Sequence, residues 1–213
     1  MIISPGRGYI FIHIPKTGGT SLTLALEARA KADDILIADT PKAQKRKHRL
    51  ARLQSPGRLW KHARLSDIEG MAVLPDPAFT FTLVRNPWDR LVSLYAWARV
   101  QRFEHPLVQA AKTLEFGPFL GAAPVLKALR NDSAKAYVTD RSGALRCDAF
   151  VRLEHLKADL APVEDHLGFQ IDMPHANRSD PPDTPSLYTS KTRALIADVF
   201  ADDIARFDYS FPG

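Results

Sequence analysis

Residues 11–22 read FIHIPKTGGTSL, and the reading of this junction decides the fold. The run from Tyr9 to Ile14 is short, apolar and rich in β-branched and aromatic residues, as a buried parallel strand requires. It stops at Pro15, and helical spacing resumes at Leu22, Ala25, Leu26 and Arg29. Between the two patterns stand Lys16, Thr17, Gly18, Gly19, Thr20 and Ser21. The first amides of a helix lack carbonyl partners and sit at the positive end of its dipole, so such a junction favours an anion. The glycines let the backbone approach a ligand closely. Lys16 adds a mobile point charge, and the three hydroxyls add donors. An ordinary strand-to-helix turn with a solvated lysine writes the same pattern, because short glycine motifs recur by chance.

A second junction shifts that balance. Ala78 to Val84, AFTFTLV, is another strand pattern, and it runs into VRNPWDRLVSLY at residues 84–95. Asn86 suits a helix cap and Pro87 the first helical position. Trp88, Leu91, Val92 and Tyr95 then mark one apolar helical face. Residues 101–146 read as helical but irregular. A third strand is expected over Ala149 to Leu153, and a helix from about Leu156 to Leu167. The stretch 175–187 is Pro-rich and loop-like. Leu195, Ile196, Val199, Phe200 and Ile204 supply the face of a final helix. Strands alternating with helices predict an α/β fold: a P-loop-like three-layer arrangement with a central, mainly parallel sheet flanked by helices, in a single domain over 1–213.

Ligands of open α/β sheets sit beyond the carboxyl ends of the strands, where Arg85 is expected beside the Lys16 loop. The forked guanidinium of Arg85 and the hydroxyl of Ser93, two turns into the helix, suit a second phosphate. Trp88 and Tyr95 read as core, while Arg90 reads as either an ion-pair residue or a ligand contact. The nucleotide pattern G-x-x-x-x-G-K-[ST] puts its lysine after the glycines, whereas Lys16 precedes them. Arg85 also stands where a kinase or ATPase would place an acidic Mg²⁺ ligand. Both points weaken a P-loop nucleotide kinase reading.

The chain has 213 residues, 45% hydrophobic and 25% charged, which suits one soluble globular domain. No stretch is long and apolar enough to cross a bilayer. The opening MIISPGRGYIFIHIP lacks the pattern of a secretory signal, so the expected location is cytoplasmic. The single cysteine, Cys147, fits a reducing compartment. No Cys/His cluster has zinc spacing, so no metal is expected. Net charge is +5, yet nine bases and no acid fall between Thr40 and Ser66. That run reads either as a solvated, mobile loop or as a patch for an anionic partner. No recognition-helix or aromatic-strand motif accompanies it, so nucleic acid is not expected.

The paired motifs PKTGGTS and RNPWDRLVSLY resemble those of sulfotransferases that use 3′-phosphoadenosine 5′-phosphosulfate (PAPS). The likeness extends to FVRLEHLKADL (150–160), LGF (167–169), PHANRS (174–179) and DIARFDYSF (203–211). It points to the carbohydrate sulfotransferases similar to heparan sulfate 2-O-sulfotransferase, and to their short bacterial relatives. By that resemblance Lys16, Thr17, Gly18, Gly19, Thr20 and Ser21 hold the 5′-phosphosulfate, and Arg85 and Ser93 hold the 3′-phosphate. Arg178 and Ser179 of PHANRS resemble a loop near the cofactor. The resemblance implies transfer of a sulfuryl group to a hydroxyl of a carbohydrate or glycolipid acceptor, anionic or neutral, releasing PAP without a metal. Peripheral contact with a membrane stays open.

Lys16 then stabilises the leaving bridging oxygen, and His62, in WKHARLSDI, is the expected base. Related enzymes place a histidine shortly before the second motif, and an imidazole suits proton removal near neutrality. Lys61 beside it is expected to lower its pKa. His48 and His105 are alternatives, and His13 reads as a satisfied core residue. A different reading is a catalytically silent protein that binds PAP and grips polyanions through residues 42–64.

Overall fold

The computed structural model describes residues 1–173 and 184–212. Along the chain run β1 (Ile2–Ser4), β2 (Tyr9–Ile12), α1 (Gly19–Ala28), β3 (Ile35–Leu36), α2 (Pro41–Arg46) and α3 (Leu65–Ile68). Then come β4 (Phe79–Val84), α4 (Pro87–Arg99), α5 (Pro106–Thr113), α6 (Phe116–Gly121), α7 (Ala123–Leu129) and α8 (Ala134–Val138). β5 (Ala149–Arg152), α9 (Leu156–Asp159), α10 (Ala161–Leu167), α11 (Thr184–Leu187), α12 (Ser190–Val199) and α13 (Ala201–Phe207) complete it. Two compact units emerge, Met1–Val84 with Lys135–Arg178, and Arg85–Ala134 with Ser179–Gly213.

The first unit holds a five-stranded sheet in the order β3-β1-β2-β4-β5. β2 pairs in parallel with β4, and β4 with β5, while β1 is antiparallel to both β2 and β3. Four strands therefore run one way and β1 the other, the mainly parallel α/β sheet expected. Alternation sends Tyr9, Phe11, Phe81, Leu83 and Val151 to one face, against Leu22 and Leu26 of α1 and Val163 and Leu167 of α10. Ile10 and Ile12 point to the opposite face and are equally buried, which is why β2 reads as a continuous apolar run. Each such buried side chain stabilises the fold by about 1.5–3 kcal/mol. Register is pinned at the start of β5, where Asp148 accepts from the Thr80 amide at 2.7 Å and donates its own amide to the Thr80 carbonyl at 2.7 Å.

The strand from Tyr9 is preceded by one the sequence did not separate from it. Gly8, at φ 66, closes a 3-10 turn after Pro5 and folds Ile2–Ser4 back on β2. β3 is only two residues long, too short for any periodicity to announce. The helix expected over 156–167 is interrupted at Leu160, where Pro162 enters the first turn of α10.

The second unit is built on α4. Asn86 caps it, its side-chain oxygen accepting from the Trp88 amide at 3.2 Å, with Pro87 at the first position. Trp88, Leu91, Val92 and Tyr95 enter a core with Phe116, Phe119 and Leu120 of α6, Val125 of α7 and Ile196 of α12. Trp88 and Tyr95 are thus core residues, as read. The final helix divides into α12 and α13 at Phe200, which is 2% exposed and turns the chain so that its own ring enters that core. Arg90 is 5% exposed and forks onto Asp132, Nη2 to the carboxylate at 2.6 Å and Nη1 to the carbonyl at 2.9 Å. Of the two roles open to Arg90, the buried ion pair is the one it fills.

Candidate functional site

β2 ends at Ile12, and the chain turns through His13 to Gly18 before α1 begins at Gly19. Two positions in this turn are left-handed, Lys16 at φ 65 and Gly18 at φ 87. Glycine adopts that region freely, but for lysine it is strained by roughly 1–2 kcal/mol. Strain held in a loop beside a helix N-terminus points to function. A Cβ on Gly19 would lie 2.3 Å from His13 Cδ2 and 2.5 Å from Nε2. Only glycine lets the first turn of α1 settle on that ring. Thr17 is buried, and its hydroxyl donates inward to the Ile14 carbonyl at 2.9 Å, bracing the turn rather than lining it. Thr23 ties the helix start by donating to the Gly19 carbonyl at 2.7 Å. Thr20 is exposed and Ser21 half-buried.

Beneath this loop lies a pair of histidines. His13 is 6% exposed, and its Nδ1 has no hydrogen-bond partner among the described residues. The sequence predicts a satisfied core residue; the structure buries it but leaves that side unsatisfied among the described residues. Burial, followed by the positive charges around it, Lys16 included, holds its pKa well below the ordinary imidazole value. His62 meets it edge-on, with ring centroids 4.7 Å apart, and places Nδ1 2.8 Å from the His13 carbonyl. A carbonyl only accepts, so Nδ1 carries the proton and Nε2 is the bare acceptor. Burial pushes the His62 pKa down to about 4, with the His13 carbonyl opposing the shift and Lys61 adding to it. Lys61 acts in the expected direction but is a smaller cause than burial, and Asp39, its ion-pair partner, acts the other way.

The parallel register sets Val84, at the end of β4, on the same carboxyl edge of the sheet as the end of β2. Arg85 is the next residue, half-buried, and Ser93 is half-buried on α4. Leu153, just past β5, approaches Gly18 so closely that a Cβ there would lie 2.9 Å from its Cδ1. Arg178 and Ser179 fall outside the described residues. His105 is engaged as the cap of α5, its Nδ1 accepting from the Leu107 amide, and His48 is exposed.

The basic run is largely committed to the chain itself. Lys42 donates to the Glu27 carbonyl, Arg46 to the Lys31 carbonyl at 2.8 Å, and Arg49 to the Ala32 carbonyl. Arg58 and Arg64 lie over the rings of Trp60 and Tyr137. The bases tie α2 and the 3-10 turn after it to the end of α1.

Two neutral imidazoles held in a folded chain resist protonation, and the unfolded chain does not. The folded pKa values lie below the unfolded 6.5. The contribution of the two imidazoles is therefore full above about pH 6.5 and declines as pH falls towards 4, where His62 alone accounts for on the order of 2–3 kcal/mol. The buried Met1 ammonium, whose pKa burial lowers from 8.0 to about 5, adds a decline of the same sign that begins near pH 8. Glu27 and Asp203, whose pKa values burial raises, titrate in the opposite sense. Urea midpoints measured from pH 7.5 to 4 show this decline, and a His62→Gln variant shows a flatter one. Parallel curves for the two proteins would exclude His62 as its source.

A sequence model described as "Sulfotransferase family" matches residues 1–139. No curated protein matches the chain. Among solved structures, mouse sulfotransferase SULT7A1 complexed with PAP is similar at 16% identity, over 97% of this chain and 87% of that one, with a TM-score of 0.48.

Proposed function

Because the chain belongs to the sulfotransferase family, we propose that it moves a sulfuryl group from PAPS to a hydroxyl of a carbohydrate or glycolipid. The observation that carries this reading is the end of β2. A strained lysine, a glycine turn pressed onto His13, and a neutral His62 with Nε2 unprotonated are brought to one strand end. These residues fit the donor: the left-handed turn at Lys16 and Gly18 leads into α1, whose first amides favour an anionic group, and Gly19 lets that first turn rest on the His13 ring. When bound, PAPS supplies the sulfuryl group and leaves as PAP. Lys16 holds the negative charge that gathers on the bridging oxygen, and the α1 amides hold the remaining oxygens. His62 Nε2 takes the proton of the acceptor hydroxyl, whose oxygen forms the new bond to sulfur as the sulfur–oxygen bond to the 5′-phosphate breaks. Arg85 and Ser93 take the 3′-phosphate.

Titration with PAP tests the cofactor half of this reading. Arg85→Ala raises the PAP dissociation constant about 10–100-fold, since a hydrogen-bonded charge is worth about 1.5–3 kcal/mol. An unchanged constant would remove Arg85 from the site, and a wild-type protein that does not bind PAP would end the proposal. Label carried from PAPS onto a glycan separates an enzyme from a silent binding protein.

A further inference from the structure

The loop from Ser55 to Asp67 holds residues that the transfer chemistry has not used. Asp67 fastens it at three points: its carbonyl accepts from the Gly57 amide at 2.9 Å and from the Ser55 hydroxyl, and its Oδ2 accepts from the Arg64 amide at 2.8 Å. A Cβ on Gly57 would lie 2.7 Å from the Asp67 Cα, so this closure requires glycine. Inside it, Arg58, Trp60 and His62 occupy every second position. The Arg58 guanidinium lies over the Trp60 ring, 5.2 Å from its centroid. Trp60 meets His62 edge-on, centroids 5.2 Å apart at 85°. His62 meets His13, and His13 underlies Gly19. A continuous row of rings leads from solvent to the anion loop.

Single surface aromatics are ordinary, but Trp60 is 40% exposed while fixed between a cation and the neutral imidazole. Its surroundings combine an apolar ring face, a forked donor and a proton acceptor, each with a distinct use towards a hydroxylated ring. We propose that Arg58 and Trp60 are the acceptor-positioning residues. The indole stacks on the C–H face of a sugar ring, Arg58 holds an anionic group of that sugar or its neighbour, and a ring hydroxyl is presented to Nε2 of His62. This rests on the sulfotransfer reading above and adds to it the residues that select the acceptor.

The test uses the whole chain saturated with PAP, titrated with hyaluronan and unsulfated chondroitin tetrasaccharides as uronate-bearing probes and with cellotetraose as a neutral one. Trp60→Ala and Arg58→Ala each weaken a uronate-bearing probe about tenfold, with PAP affinity and Tm as in wild type. Trp60→Phe restores most of the loss, and Arg58→Ala leaves cellotetraose binding unchanged. A wild-type protein that binds PAP but none of the probes, or variants that bind them as wild type does, overturns the platform and leaves sulfotransfer standing. Failure of the wild type to bind PAP overturns both.

Discussion

Alanine at position 16 lowers the rate of sulfuryl transfer by about 10²–10³-fold, the loss typical when one preorganised donor to a developing charge is removed. The backbone shows why this position is informative. Lys16 stands at φ 65, where any side chain beyond glycine is strained, so alanine inherits the strain without the charge. Stability therefore changes little in Lys16→Ala, and the rate carries the effect. Lys16→Gly relieves the strain and gains about 1 kcal/mol of stability, yet remains as slow as the alanine variant. Single-turnover transfer of label from PAPS, set beside thermal unfolding, separates the two quantities. A near-normal rate in Lys16→Ala would falsify the assignment, and recovery of rate in Lys16→Gly would assign the defect to backbone geometry.

What was legible in the sequence is what local chemistry writes in consecutive residues. The Pro-Lys-Thr-Gly-Gly turn, the Asn86-Pro87 cap and the AFTFTLV strand each declare themselves through a dihedral requirement, a capping oxygen or β-branched periodicity. β3 was not legible, because Ile35–Leu36 is a strand only through its pairing with β1. The break at Phe200 was hidden for a related reason: its apolar spacing continues the helical pattern, and only the core it enters turns the chain. At the proposed site, the roles given to Lys16 and His62 come from motif and resemblance, whereas the position of His13 beneath Gly19 has no counterpart in the sequence pattern. Its importance lies in the ring contact beneath Gly19 and the carbonyl it offers His62, neither of which leaves a mark on residue type. Arg58 reads as one base of a charge run, and sequence does not tell a fixed surface indole such as Trp60 from a core one. The run itself reads equally as a solvated loop or as a binding patch, and residue type alone does not tell that Lys42, Arg46 and Arg49 are set against carbonyls of the chain.

His62→Ala leaves PAP affinity unchanged and slows turnover by about 10²–10⁴-fold, the range for loss of a positioned base. The pH profile distinguishes this role from mere support of the loop. With a free-protein pKa of about 4, His62 is neutral throughout the physiological range. The acid limb of kcat/KM, which reports groups of the free enzyme, therefore falls near pH 4 and not near 6.5. The low pKa makes the imidazole a weak base, so it receives the proton late, as the bond from the acceptor oxygen to sulfur forms and the hydroxyl becomes acidic. His62→Gln, which keeps a donor for the His13 carbonyl but cannot take up a proton near neutrality, restores the loop and not the rate. An active His62→Gln enzyme with the same acid limb would give the proton to another group. An inactive one whose PAP affinity had also collapsed would make His62 a brace for the turn above it.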